Sequence, residues 1–192
     1  MLSSTPPAFA GAVQAARAKV KQSPRSPNAQ YDLGLALMQS VKHQLRGGRM
    51  GTRDKSVAKE AEQAFKTALR LNKRHGRAHV MLGMLYKFTK RYGEATVHLK
   101  AGMRLPPKSQ DWWIAATTLV NVYFKQNKPK PAIPVLRALI KQRPGDVDAH
   151  YKLGLSYAFT KKKPAAIIEF KKTLKLKAGH HRAATWLKKL QK

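Results

Sequence analysis

Two stretches decide how this chain reads: Leu82-Gly83-Met84-Leu85-Tyr86 and Leu153-Gly154-Leu155-Ser156-Tyr157. In each, leucine and glycine are adjacent and a tyrosine follows the glycine by three residues. Between them, Leu119-Val120-Asn121-Val122-Tyr123 repeats the pattern with valine in the glycine place. Behind each copy stands a small residue, with a large apolar one four positions later: Ala95 and Leu99, Ala132 and Leu136, Ala166 and Phe170. Such spacing puts both residues on one face of a second helix. The second and third copies are 34 residues apart, and the first and second 37, which leaves a three-residue insertion near Ser109–Asp111. Pro107 and Pro144 close two of the units at the same offset. Proline ends a helix there because it lacks the donor that would continue it.

The repeat extends outward in both directions. Upstream, Tyr31-Asp32-Leu33-Gly34-Leu35-Ala36-Leu37 reads as a first helix, and Ala61, Phe65 and Ala68 read as its second. Leu33 precedes Leu82 by 49 residues, so about 15 extra residues fall inside this copy, around Gln39–Lys59. Downstream, 181–192 begins a new unit and stops after one helix. Trp186, Leu187 and Leu190 can cover an open core while Arg182, Lys188, Lys189 and Lys192 face water, as a capping helix must.

This organisation resembles the tetratricopeptide repeat, a 34-residue helix–turn–helix with spaced aromatic, Leu, Gly, Tyr, Ala, Phe, Ala and Pro positions. The resemblance covers about residues 27–192. It implies an all-α fold, a right-handed superhelical α-solenoid of antiparallel helix pairs. Its repeats would fall at about 76–109, 113–146 and 147–180, after a first repeat interrupted at about 39–59 and before a cap at 181–192. Val120 departs from the pattern and predicts a slightly wider helix pair.

The family's geometry further implies that first helices line a concave groove. That places Asn28, Tyr31, Leu35, Met38, Arg77, Val80, Met84, Lys87, Thr117, Asn121, Phe124, Tyr151, Leu155 and Phe159 in it. This largely apolar set suits a protein segment. The family's carboxylate clamp for chaperone tails is not matched: its positions hold Tyr31, Leu35, Met81, Asp148 and Lys152.

The chain has 192 residues, with 39 Lys+Arg against 9 Asp+Glu, and a formal net charge of +30. Such an excess attracts polyanions. In the family's geometry, Lys66, Arg70, Lys100, Arg104, Arg137, Lys141, Lys171, Lys172 and Lys175 fall on second helices, on the convex back. Lys161, Lys162 and Lys163 form the turn before the last of these. Residues 161–192 hold 11 Lys or Arg and one acid, Glu169. Arg46, Arg49 and Arg53 lie in the glycine-rich insertion, read as a flexible loop suited to phosphate.

Residues 1–26 contain no acid. They read as a basic leading helix, with a mitochondrial-type targeting segment as the alternative. Zero cysteines exclude disulfide scaffolds and thiolate metal sites, and no apolar run suffices to span a membrane. His75 and His79 have metal-like spacing, yet His79 and His150 share a packing position, so no metal or cofactor is expected. Nothing assembles a nucleophile, base and oxyanion donor, so no enzyme is expected either.

The sequence thus predicts a non-enzymatic basic scaffold, a subunit of a large assembly such as an organellar ribosome. It would contact rRNA with its convex face and a protein segment with its groove, without requiring a homo-oligomer. An organelle such as the mitochondrial matrix, or the cytoplasm, would house it. The alternatives are a protein-only adaptor or assembly factor for an acidic partner, and a peripheral coat on an anionic membrane.

Overall fold

The computed structural model describes residues 7–44 and 52–191. They form α1 (Pro7–Gln22), α2 (Pro27–Gln44), α3 (Thr52–Leu71), α4 (Gly76–Phe88), α5 (Tyr92–Gly102), α6 (Gln110–Lys125), α7 (Pro129–Gln142), α8 (Val147–Phe159), α9 (Lys163–Leu176) and α10 (His181–Gln191). Among the described residues there is no strand. The chain divides into two compact units, one ending at Arg104 and one beginning at Leu105. The first unit holds α1 and the pairs α2–α3 and α4–α5. The second holds the pairs α6–α7 and α8–α9, closed by α10. The all-α helix-pair architecture expected from the repeat is the one observed.

Three of the four pairs are built around a glycine. A Cβ on Gly34 would lie 2.7 Å from the Phe65 ring, one on Gly83 2.7 Å from Leu99 Cγ, and one on Gly154 2.7 Å from the Phe170 ring. The partner side chains are fully buried. At the equivalent place Val120 faces a buried Leu136, and α6–α7 is the least closely packed of the four pairs.

The turns repeat as faithfully. Lys90, Asn127 and Lys161 occupy one repeat position, and all have positive φ, at 61°, 55° and 59°. The next residues, Arg91, Lys128 and Lys162, each donate back to a tyrosine carbonyl (Tyr86, Tyr123, Tyr157) at 2.8 Å. This closes each first helix and satisfies its last carbonyls. Each first helix after α1 opens on a side-chain cap: Ser26 for Ala29, His75 for Ala78, Ser109 for Trp112, Asp146 for Ala149 and His180 for Ala183.

Both insertions turn out differently from a simple loop. The three residues near Ser109–Asp111 become an extra turn at the start of α6, which has 16 residues against 13 in α4 and α8. The larger insertion lengthens α2 to 18 residues and α3 to 20. Extending an existing helix adds one hydrogen bond per residue fixed, without a new nucleation step. Arg53 therefore lies in α3, whereas Arg46 and Arg49 lie outside the described residues. Helix α1 packs on α2, with Ala16 buried and with ion pairs Arg17–Glu60 (2.7 Å) and Lys19–Asp32 (3.3 Å).

Candidate functional site

The first-helix face carries the residues expected to hold a protein segment, and packing has already claimed several of them. In the first unit, Tyr31 stacks on His75 with ring centroids 5.2 Å apart and tilts against Phe65 at 6.1 Å. Asn28 Oδ1 meets His75 Nε2 at 2.9 Å. Val80, expected to line the groove, is fully buried and belongs to the core. The helix repeat places it between the two faces, and the neighbouring helices cover it. Leu35 and Met84 remain half-buried, and Arg77 is exposed though not without a partner.

In the second unit Tyr151 packs the same way, against Phe170 at 6.0 Å and His180 at 4.6 Å. Burial raises its phenol pKa. Phe159 is 55% exposed, the largest exposed side chain on this face. Its edge meets the Trp186 ring at 5.6 Å. Phe124 and Leu155 are half-buried. Asn121 Oδ1 accepts from Lys152 Nζ at 2.9 Å, and Lys152 also pairs with Asp148 at 2.7 Å. Lys152 and Trp186 thus join this face. The family's clamp register had already put Lys152 in the groove, whereas Trp186 was read only as part of the cap.

The second-helix face carries a more regular pattern. Lys66, Lys100, Arg137 and Lys171 occupy one repeat position, and Arg70, Arg104, Lys141 and Lys175 the position one turn later. All eight are exposed. Each unit therefore displays two such basic pairs, their members about 6 Å apart along the axis where both lie in the helix; Arg104, expected on a second helix, instead falls in the turn just beyond α5. Among the described residues, only Lys66 of the eight shares an ion pair, with Glu62 at 2.7 Å. Arg137 Nε donates to Tyr157 Oη at 3.1 Å. Lys161, Lys162, Lys163 and Lys172 are exposed beside them.

The acids, by contrast, are all spent within the chain. Glu62, whose side chain is 16% exposed, accepts from Tyr86 Oη (3.0 Å), Lys66 (2.7 Å) and Arg91 (2.6 Å). Burial alone would raise its pKa, but the hydrogen bonds from Lys66, Arg91 and Tyr86 pull it below the usual carboxylate value. Arg91 also binds Glu94 and lies over the Tyr86 ring, 4.3 Å from its centroid. A cleft of about 900 Å³ opens beside this cluster, lined by Lys55, Lys59 and Lys66 among others. Asp32, Glu60 and Asp148 have the partners given above, and Asp146 caps α8. Asp54 and Asp111 are not free either. Glu169 Oε2 lies 2.7 Å from Nδ1 of the buried His150, whose Nε2 faces the Pro144 carbonyl at 2.9 Å. Nε2 must therefore carry a proton, and a second proton lies between imidazole and carboxylate.

At the same two repeat positions of the first unit stand His79 and His98. His79 Nε2 donates to the Lys73 carbonyl (3.1 Å), so its Nδ1 receives the His98 Nδ1–H at 2.9 Å. Burial, with His79 adding to it, lowers the His98 pKa to about 4. These histidines hold helices together. Among the described residues no three His, Asp or Glu side chains gather to hold a metal, and no helix is long and apolar enough to cross a membrane.

Sequence profiles of the tetratricopeptide repeat match residues 76–109 and 117–181. The chain belongs to the tetratricopeptide repeat family. No curated protein matches it. Among solved structures, this repeat protein is similar to YrrB, a tetratricopeptide repeat protein with an unusual peptide-binding site. The TM-score is 0.70 at 20% identity, over 94% of this chain and 84% of that one. It is also similar to MamA, with a TM-score of 0.68 at 22% identity over 91% of each chain. The MamA fragment from Desulfovibrio magneticus RS-1 scores 0.62 at 22% identity over 82% of each. The Naa15/Naa10 complex bound to HypK-THB scores 0.65 at 18% identity, over 85% of this chain and 22% of that one. These are likenesses of fold. The tetratricopeptide frame accounts for the recurrence of the basic pairs: a residue placed at one position of every repeat returns to the same face of every second helix.

Proposed function

We propose that this tetratricopeptide repeat protein is a non-enzymatic scaffold that seats against RNA in a large ribonucleoprotein, such as an organellar ribosome. The basic pairs of the second helices would lie on phosphate, and the Tyr151–Phe159–Trp186 face of the second unit would hold a neighbouring protein segment. One observation carries the reading. Each acid is engaged inside the chain, and of the eight exposed bases repeated on the second-helix face only Lys66 shares one of them among the described residues, so the other seven are left without an ion-pair partner. A phosphate backbone supplies that charge, and its release of counterions drives binding. The peptide-binding site of YrrB is consistent with a protein ligand on the other face.

The test is a salt titration with a labelled RNA duplex or single strand. Log affinity is expected to fall linearly with log salt, by about 0.7–0.9 per phosphate contact. Reversing Lys100, Arg104, Lys171 and Lys175 to Glu should flatten the slope. Absence of binding at low salt overturns the proposal.

A second reading, an acidic protein partner, rests on Val97 and Ile168. They occupy one repeat position beside the bases and are 66% and 61% exposed. An exposed aliphatic side chain amid positive charge, one in each unit, suits an acidic, partly apolar segment. Affinity purification with and without RNase separates the readings: partners lost with RNase favour RNA.

A further inference from the structure

The extra turn at the start of α6 creates a feature that no other repeat has. Where α4 begins with Gly76 and α8 with Val147, the corresponding place in α6 holds Trp113. The Arg143 guanidinium lies over the Trp113 ring, its central carbon 3.8 Å from the ring centroid. Arg143 comes from just beyond the end of α7, as its C-cap residue. Its backbone N–H is taken by Leu139, while its side chain is exposed. Beside this pair is a recess of about 270 Å³ lined by Pro107, Lys108, Ser109, Trp113, Gln142 and Arg143. Ser109 is held in place as the α6 cap and by a 2.7 Å bond to the Pro106 carbonyl. No acid lines the recess, and its two cations are Lys108 and Arg143.

We propose that this recess is a nucleotide site in which an RNA base stacks on the outer plane of the Arg143 guanidinium. Trp113 carries the guanidinium from behind and holds it flat. A cation already fixed over an aromatic ring gives up less side-chain freedom when a base joins the stack than a freely moving surface arginine does. Unpaired bases in RNA are taken up in this way, on aromatic rings and arginine planes. Lys108, at the rim, is placed for the phosphate of the same nucleotide. The Gln142 amide offers a donor and an acceptor to a base edge, and because these can serve any base, the site would prefer unpaired nucleotides over a particular sequence. The geometry also separates this site from the basic pairs of the second helices. Those are five lysines and three arginines, none of them held as close to an aromatic ring as Arg143 is to Trp113. The inference rests on the RNA reading above and narrows it: part of the bound RNA would be single-stranded and would place one base here.

The experiment uses the full chain and two fluorescein-labelled probes, a 12-nucleotide oligouridylate and a ribose-phosphate 12-mer without bases. Arg143→Lys keeps the charge and loses the plane. Trp113→Ala removes the support, and Trp113→Phe keeps a smaller ring. Loss of one base–side chain stack is expected to weaken oligouridylate binding by about 5–100-fold. Arg143→Lys and Trp113→Ala should show that loss with an unchanged salt slope, Trp113→Phe should retain most of the affinity, and none should alter binding of the abasic probe. Thermal melts identify any variant that has lost its fold, in which case Arg143→Lys and Trp113→Phe decide. Wild-type affinity in a folded Arg143→Lys overturns this site and leaves the RNA reading standing. Equal losses on both probes also overturn it, since they would make Arg143 a plain phosphate contact. If the wild type binds neither probe at low salt, both readings fall.

Discussion

Gly83→Ala adds a single methyl group at a helix crossing of the first unit that has no room for one. The new Cβ would stand 2.7 Å from Leu99 Cγ, 2.9 Å from Leu99 Cδ2 and 3.2 Å from the Leu99 backbone nitrogen. Carbon atoms in contact prefer about 3.5–4.0 Å, so about an ångström must be found. Leu99 cannot yield it by swinging, because Cγ sits one bond from its own Cβ and the side chain is fully buried. Helix α5 has to retreat from α4. Overpacking costs about 1–3 kcal/mol, here the upper part, about 2–3 kcal/mol, because a backbone nitrogen is among the obstructing atoms, and replacing a helical glycine by alanine returns about 1 kcal/mol. The net expectation is a loss of about 1–2 kcal/mol, or about 3–6 °C in melting temperature for a chain of this size. Gly93→Ala in α5 is the internal control. Its Cβ would meet nothing within 4 Å, so the same chemical change should raise stability by about 0.5 kcal/mol. Far-UV circular dichroism melts and urea midpoints on both variants give the comparison. In a Leu99→Ala background the two obstructing side-chain atoms are gone and only the backbone nitrogen at 3.2 Å remains, so Gly83→Ala should cost markedly less. The reasoning is refuted if Gly83→Ala melts at or above the wild type, or if its cost is unchanged in that background.

Acid should loosen the first unit before it titrates carboxylates. His98 falls from 6.5 to about 4 and His75 is also lowered, both chiefly through burial. Between pH 6.5 and 4 the unfolded chain binds protons that the folded chain refuses, so stability is full above this window and falls as the pH drops through it. Urea midpoints measured across the window should decline, and less steeply in His98→Gln; parallel curves would count against the assignment. Glu169→Ala strips the counter-group from the buried His150 and should cost about 2–4 kcal/mol. Glu169→Gln, whose amide can donate to Nδ1 of a neutral imidazole, should cost about 1 kcal/mol. Equal urea midpoints for the two variants would refute the proton count.

The helix pairs were legible because repetition multiplies a weak signal. One leucine–glycine–tyrosine run could arise anywhere, but two of them in register with two variants, one with valine for the glycine and one with leucine for the tyrosine, place four helix pairs, their turns and their crossings. The roles of His79 and His150 as packing residues followed from the same register. The insertions were legible as extra length but not as structure. Glycine and arginine in 45–53 suggested a loop, whereas the flanking residues continue the helices they adjoin. Val80 shows another limit. Its repeat position lies on the border between ligand face and core, and a border residue is assigned by how far the next helix reaches over it.

By itself, the sequence determined the all-α repeat, the glycines at the crossings and the spacing that returns a base to each second helix. These are periodic properties, carried by residues three, four or 34 apart. Only the tertiary structure decided which charges remain to be used. Arg17 meets Glu60, Glu62 gathers Tyr86 and Arg91, and Trp113 receives Arg143, each across tens of residues. Pairing of charges and stacking of planes depend on distance in space, which falls off no faster between distant residues than between neighbours once packing has brought them together. The net charge of +30 is in the composition, but its unneutralised share on the second helices is a product of folding.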